Sequence, residues 1–160
     1  MDGERTPVYA AELAAFEGTD LEQLRRFDDL AALADEIVAG EWWPGPLVRL
    51  ARARVDASSS STRCAERDGA TIRLARGQMT VATLAHELAH ALAGGAAGHD
   101  AVFRIAYADV VAVITNVAST DRRRDLHVHQ LLEAFTAAGL PVGVRRWPAP
   151  PAATTGAIAL

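Results

Sequence analysis

The chain has 160 residues, half of them apolar and 22 % charged, with a net charge of −4. That length can bury one core without staples, and the composition is that of an ordinary globular chain. The acidic balance argues against a nucleic-acid partner, whose phosphates need a basic surface, and the single Cys64 excludes an intramolecular disulfide or a thiolate metal ribbon.

The first predicted element is a short helix over residues 8–17, closed by Gly18. The preceding acids stand where a secretion signal needs basic and then apolar residues. No stretch reaches the roughly 18 apolar residues of a membrane span, so a cytoplasmic location without a membrane partner is expected. Thr19 and Asp20 offer a cap for a second helix, with Leu21, Leu24, Phe27, Leu30, Leu33 and Ile37 at helical spacing and Gly40 as its stop. The WWPGP segment at 42–46 must turn, and residues 47–55 read as a strand in which Arg52 and Arg54 alternate with small apolar residues.

After a serine loop at 58–61, Asp68–Gly69 between STRCAER and ATIRLAR predicts a hairpin, because a tight type I′ turn needs positive φ at its centre. Cys64 in the first of these strands reads as a small buried hydrophobe or a bystander thiol. Thr80 can cap a helix over 81–93, which GGAAG at 94–98 ends. Residues 100–117 form a further helix with Phe103, Ala106, Val110, Val113, Ile114 and Val117 on one face, and residues 126–138 a last one. Residues 1–147 are expected to make one domain, followed by a disordered proline- and alanine-rich tail over 148–160. The fold class is α+β: N-terminal helices, a small twisted sheet of about three strands, the helix over 81–93, then C-terminal helices.

The chemistry lies in HELAH at 86–90. On a helix His86 and His90 are one turn and about 40° apart, so both imidazoles can reach one ion, while Glu87 is displaced by roughly 60° from His90. Ala85, Ala89 and Ala93 leave room beside the histidines, and Val81, Leu84, Leu88, Ala91 and Leu92 form the opposite, apolar face. A third ligand is expected from His99, which GGAAG can fold back over the helix and which begins the stripe of the next one. His127 and His129, near a charged run, read as surface residues, and the clusters Arg122–Arg124 and Arg145–Arg146 as solvated faces. Three imidazoles without a thiolate suggest one Zn2+ with water in an open fourth position. Glu87 is then the expected general base, taking the proton of that water for attack on a carbonyl and returning it to the leaving amine. Tyr107 and the arginines are available as oxyanion partners, and the sequence selects none of them.

HELAHALAGGAAGHDAVF resembles the SprT-like zinc metallopeptidases, within the zincin group, in which H-E-x-x-H on one helix is followed by a third His opening the next. The aromatic that follows that His in the family has its counterpart in Phe103, and the upstream PVYAAE and Trp-Pro turn are similar to small metallohydrolases of high-GC bacteria and their phages. The resemblance is strongest over about residues 70–118. It implies His86, His90 and His99 as zinc ligands, Glu87 as catalytic base, and a zincin-like fold acting on a peptide or protein. It also implies that an edge strand, here Ala70–Arg76, adds an extended substrate as a further strand. Two alternatives remain at this level. One is a three-histidine endoribonuclease, which the Glu after the first His disfavours; the other is a metal-binding interaction module without turnover.

Overall fold

The computed structural model describes residues 3–65, 69–118 and 124–151. Among these residues, two α-helices and three strands precede the motif helix and two α-helices follow it, in the expected order. Helix α1 (Arg5–Phe16) buries Val8, Ala11, Ala15 and Phe16, and α2 (Phe27–Ala39) buries Leu30, Leu33, Ala34 and Ile37. The strands are β1 (Val48–Arg52), β2 (Ser61–Ala65) and β3 (Gly69–Leu74), followed by α3 (Val81–Ala93), α4 (Ala101–Ala118) and α5 (Arg124–Ala137).

The second helix begins later than its apolar spacing predicts. Asp20–Glu22 form a 3-10 turn that buries Leu21, and the chain then runs extended to Arg26. Leu24 bridges to Thr80 and the Arg25 N–H donates to the Met79 carbonyl at 2.7 Å. This strand-like pairing outcompetes the helical stripe, and it leaves Leu24 69 % exposed rather than in the core.

The sheet has the order β1–β3–β2, with β1 parallel and β2 antiparallel to β3. Ala70, Ile72 and Leu74 alternate into the core as the period of two requires. The strand expected at an edge is therefore the central one; β1 and β2 are the edges. The antiparallel pairing of β2 with β3 agrees with the predicted hairpin, but Gly69, expected at the centre of a two-residue turn with Asp68, is instead paired with Ala65 as the first residue of β3, and Asp68 lies outside the described residues. Gly69 has φ +84°, and a Cβ there would collide with the Leu47 carbonyl oxygen across the β1–β3 pair.

Helix α3 is the centre of the fold. Thr80 caps it, its hydroxyl oxygen accepting from the Thr83 N–H at 3.0 Å. It packs against α4, β2 and β3, and Val81, Leu84, Leu88 and Ala89 are fully covered. Helix α5 closes against α1 and α4, and His127, expected on the surface, is fully buried with its ring edge-on to Phe16. The α1–α5 contact covers a face that the local charge run suggested was solvated. His129, one turn-edge away, is exposed and pairs with Glu133 at 3.1 Å.

Beyond Gly139 the chain runs back over the helices. Gly143 N–H donates to Ala101 O, and Arg145 makes two bonds, 2.8 and 2.9 Å, to the buried carboxylate of Asp109, which also accepts from Trp147. Arg145 is thus an anchor rather than part of a solvated pair, because the buried Asp109 needs a counter-charge. Arg122 and Arg123 lie outside the described residues. The Pro148 carbonyl accepts from Trp42 at 2.9 Å, and residues 152–160 of the predicted tail lie outside the described residues. No helix among the described residues is long and apolar enough to cross a membrane.

Candidate metal centre

Two backbone features bring the three histidines together. Helix α3 sets His86 and His90 one turn apart, and Gly94 (φ +98°) and Gly98 (φ +57°) reverse the chain so that His99 returns over that helix. Asp100 then caps α4, accepting from the Val102 and Phe103 N–H groups at 2.9 and 3.1 Å. The fully buried side of Arg104 holds the His99 carbonyl at 2.9 Å and the Pro141 carbonyl at 2.8 Å, and pairs with Glu4 at 3.0 Å.

The result is a convergent set of nitrogens. His86 Nε2 lies 3.1 Å from His90 Nε2 and 3.3 Å from His99 Nε2, and the three ligand atoms all fall within 4.8 Å of one another. Zn–N bonds of about 2.0–2.1 Å at tetrahedral angles separate two nitrogens by about 3.3–3.4 Å. The donor set therefore has the identity and spacing that a single Zn2+ requires. Phe103 supports it: its ring centroid is 4.4 Å from that of His90, 4.9 Å from His99 and 5.0 Å from His86.

The surrounding groups orient His86. The Glu12 carboxylate on α1 contacts Nδ1, which leaves Nε2 to face the site, an arrangement that fixes both tautomer and ring angle at metal centres. Burial lowers the His86 pKa, but the adjacent Glu12 charge and hydrogen bond outweigh it and the net direction is upward. Tyr9, also from α1, stacks on His86 with centroids 5.3 Å apart and planes 7° from parallel. Tyr107 is fully buried and its hydroxyl donates to the Ala82 carbonyl at 3.4 Å. Burial, with the Glu12 carboxylate adding to it, holds that phenol well above its usual range. It stays protonated beside Glu12 and has no open face toward a substrate.

Glu87 sits beside the cluster and outside its ligand set. It is buried, and the Thr62 hydroxyl of β2 lies 2.7 Å from Oε1 and 3.0 Å from the Glu87 carbonyl oxygen. Burial raises its pKa, against the lowering effects of His86 and of the Thr62 hydrogen bond. Such a direction suits a carboxylate that must take up a proton.

A cleft of about 320 Å³ opens the centre to solvent between Arg5, Tyr9, Thr62, Glu87, His90 and His99. Of the two readings of Cys64, a buried hydrophobe or a bystander thiol, the first does not hold: it is exposed on the outer strand β2 at this opening. Its thiol is pushed up by partial burial, with a backbone hydrogen bond to Gly95 opposing, which keeps it a weak nucleophile.

The sequence pattern assembled His86, Glu87, His90 and His99 but missed Glu12, Tyr9 and Thr62. Only Glu12 left a trace. It stands four residues after Val8 and four before Phe16, in the middle of a buried helical stripe, where a carboxylate needs a partner.

Comparison of the chain with protein-family models, with curated proteins and with solved structures finds no match to any of them. The metal centre is thus read from its own geometry, which is that of a zincin-like H-E-x-x-H site suited to a zinc-dependent hydrolase.

Proposed function

We propose that the protein is a zinc metallopeptidase, similar to the SprT-like branch of the zincins, with His86, His90 and His99 as ligands and Glu87 as general base. The observation that carries this reading is the buried Glu87 carboxylate, tethered by Thr62 next to three convergent imidazoles yet outside the ligand set. A purely structural site gains nothing from a buried acid in that position. Zinc bound there supplies a Lewis acid and lowers the pKa of a coordinated water to about 7.

The remaining work falls to the chain. Glu12 and Tyr9 hold His86 in its ligating tautomer and plane. Glu87 accepts the proton of the attacking water and passes it to the leaving amine. Strand β2 carries Thr62 and is the sheet edge beside the centre, so it replaces β3 as the strand along which an extended peptide would lie.

The test is metal analysis with casein cleavage, comparing wild type with Glu87→Gln. One zinc per chain in both proteins, with cleavage only in the wild type, is the expected outcome. Metal without cleavage in either would favour an interaction module, and cleavage of RNA instead of casein a nuclease.

A further inference from the structure

On the other side of the turn that leads into α3 lies a groove of about 380 Å³ lined by Arg25, Arg26, Arg52 and Arg76, with Leu24 and Met79 among its walls. Four of the sixteen arginines of a chain with net charge −4 thus face one opening. Folding alone does not explain the concentration, since like charges repel and exposed guanidinium groups add little stability. Asp28 is the carboxylate in the lining, 4.0 Å from Arg26 with both side chains more than three-quarters exposed (81 % and 77 %). Among the described residues neither Arg52 nor Arg76 is paired with a carboxylate.

Arg52 is nonetheless held in place. Its guanidinium lies 4.3 Å from the centroid of the Phe27 ring, which fixes its plane and leaves the edge donors free. A planar, pre-oriented guanidinium is suited to two-point bonding with a carboxylate. Arg52, Arg76 and Met79 also wall a second, adjoining hollow with Val55, which is 85 % exposed, and Leu74. Cationic and apolar surface therefore alternate across one continuous depression.

We infer that this depression binds an acidic polypeptide segment in which carboxylates alternate with apolar side chains. A polynucleotide fits less well. Beyond thymine methyls it offers few aliphatic groups for Leu24 and Val55, and the Phe27 face that a base would stack on is taken by Arg52. The groove is also a neighbour of the metal cleft. Arg76 and Met79 face the groove, while Gln78 of the same turn lines the hollow that reaches His86 and Glu87. Ser60 lines both that hollow and the metal cleft, so the groove lies one turn from the centre, and its role there would be to select substrates with acidic stretches away from the cut bond. Only this last step rests on the peptidase reading; binding to the groove does not.

The experiment measures binding without turnover, by fluorescence anisotropy on the full chain carrying Glu87→Gln. The probes are a short labelled peptide of alternating glutamate and leucine, its glutamine counterpart, and a labelled single-stranded oligothymidylate. The glutamate peptide is expected to bind at least about tenfold tighter than the other two and to weaken with salt. Arg52→Gln with Arg76→Gln should lower that affinity about tenfold, while Arg49→Gln, exposed on β1 outside the groove, leaves it unchanged. If the double variant lacks a cooperative unfolding transition, Arg76→Gln alone, in an exposed turn, carries the comparison. Equal affinity for both peptides, tighter binding of the oligothymidylate, or an equal loss from Arg49→Gln would overturn the inference. Because no cleavage is read, an inactive wild-type enzyme would leave this result intact.

Discussion

Glu12 and His86 are 74 positions apart in the chain and touch through a carboxylate oxygen and Nδ1. The contact joins the first helix to the metal centre and leaves Nε2 as the free nitrogen. Glu12→Gln should weaken zinc binding by about 10–100-fold while the fold is kept, since an amide can occupy the same space without the charge. Competition against a chromophoric chelator reads this directly; an unchanged dissociation constant would remove Glu12 from the centre.

Thr62 touches Glu87 but none of the imidazoles through its hydroxyl. Thr62→Val keeps the shape of the side chain and deletes its proton. Zinc affinity should stay at the wild-type value while kcat falls by about tenfold, because the carboxylate loses the group that aims it. A parallel loss of metal and activity would place Thr62 in the scaffold and not in the chemistry.

Arg104 is 2 % exposed and bonds the carbonyls of His99 and Pro141. Arg104→Met fills most of the volume and leaves both carbonyls without their donors. A cost of about 2–4 kcal/mol in urea unfolding is expected, together with weaker zinc binding as the His99 backbone relaxes. Stability lost with metal affinity intact would mean that His99 is positioned by the Gly94–Gly98 reversal alone.

At Gly69, positive φ and the nearness of the Leu47 carbonyl act together. Gly69→Ala should destabilise the chain by about 1–3 kcal/mol, the strain of a left-handed alanine plus displacement of β1. The midpoint of chemical unfolding tests it, and a neutral substitution would show that β1 shifts freely.

How far these features could be seen beforehand depended on the range of the forces involved. The H-E-x-x-H helix and its Thr80 cap are local, set by periodicity and one side-chain bond, and they fall where the pattern put them. His99 was legible because a glycine-rich reversal and an apolar stripe flanked it. The start of α2 was not, since pairing of Leu24 and Arg25 with Met79 and Thr80 is long-range and overrides the helical spacing. His127 was misjudged for the same kind of reason: its charged neighbours in sequence say nothing about α1, whose Phe16 covers it. The order of the strands was equally hidden, because β1 joins β3 rather than its neighbour in sequence.

The stacking of Tyr9 on His86 gives the protein an internal reporter. A phenol ring parallel to a ligating imidazole experiences any change in that imidazole's charge, so tyrosine absorbance or fluorescence should respond as zinc enters. Occupancy and seating of the opening helix become one event. Removal of residues 3–16 would spare all three histidines yet leave His86 without the carboxylate and the ring that orient it.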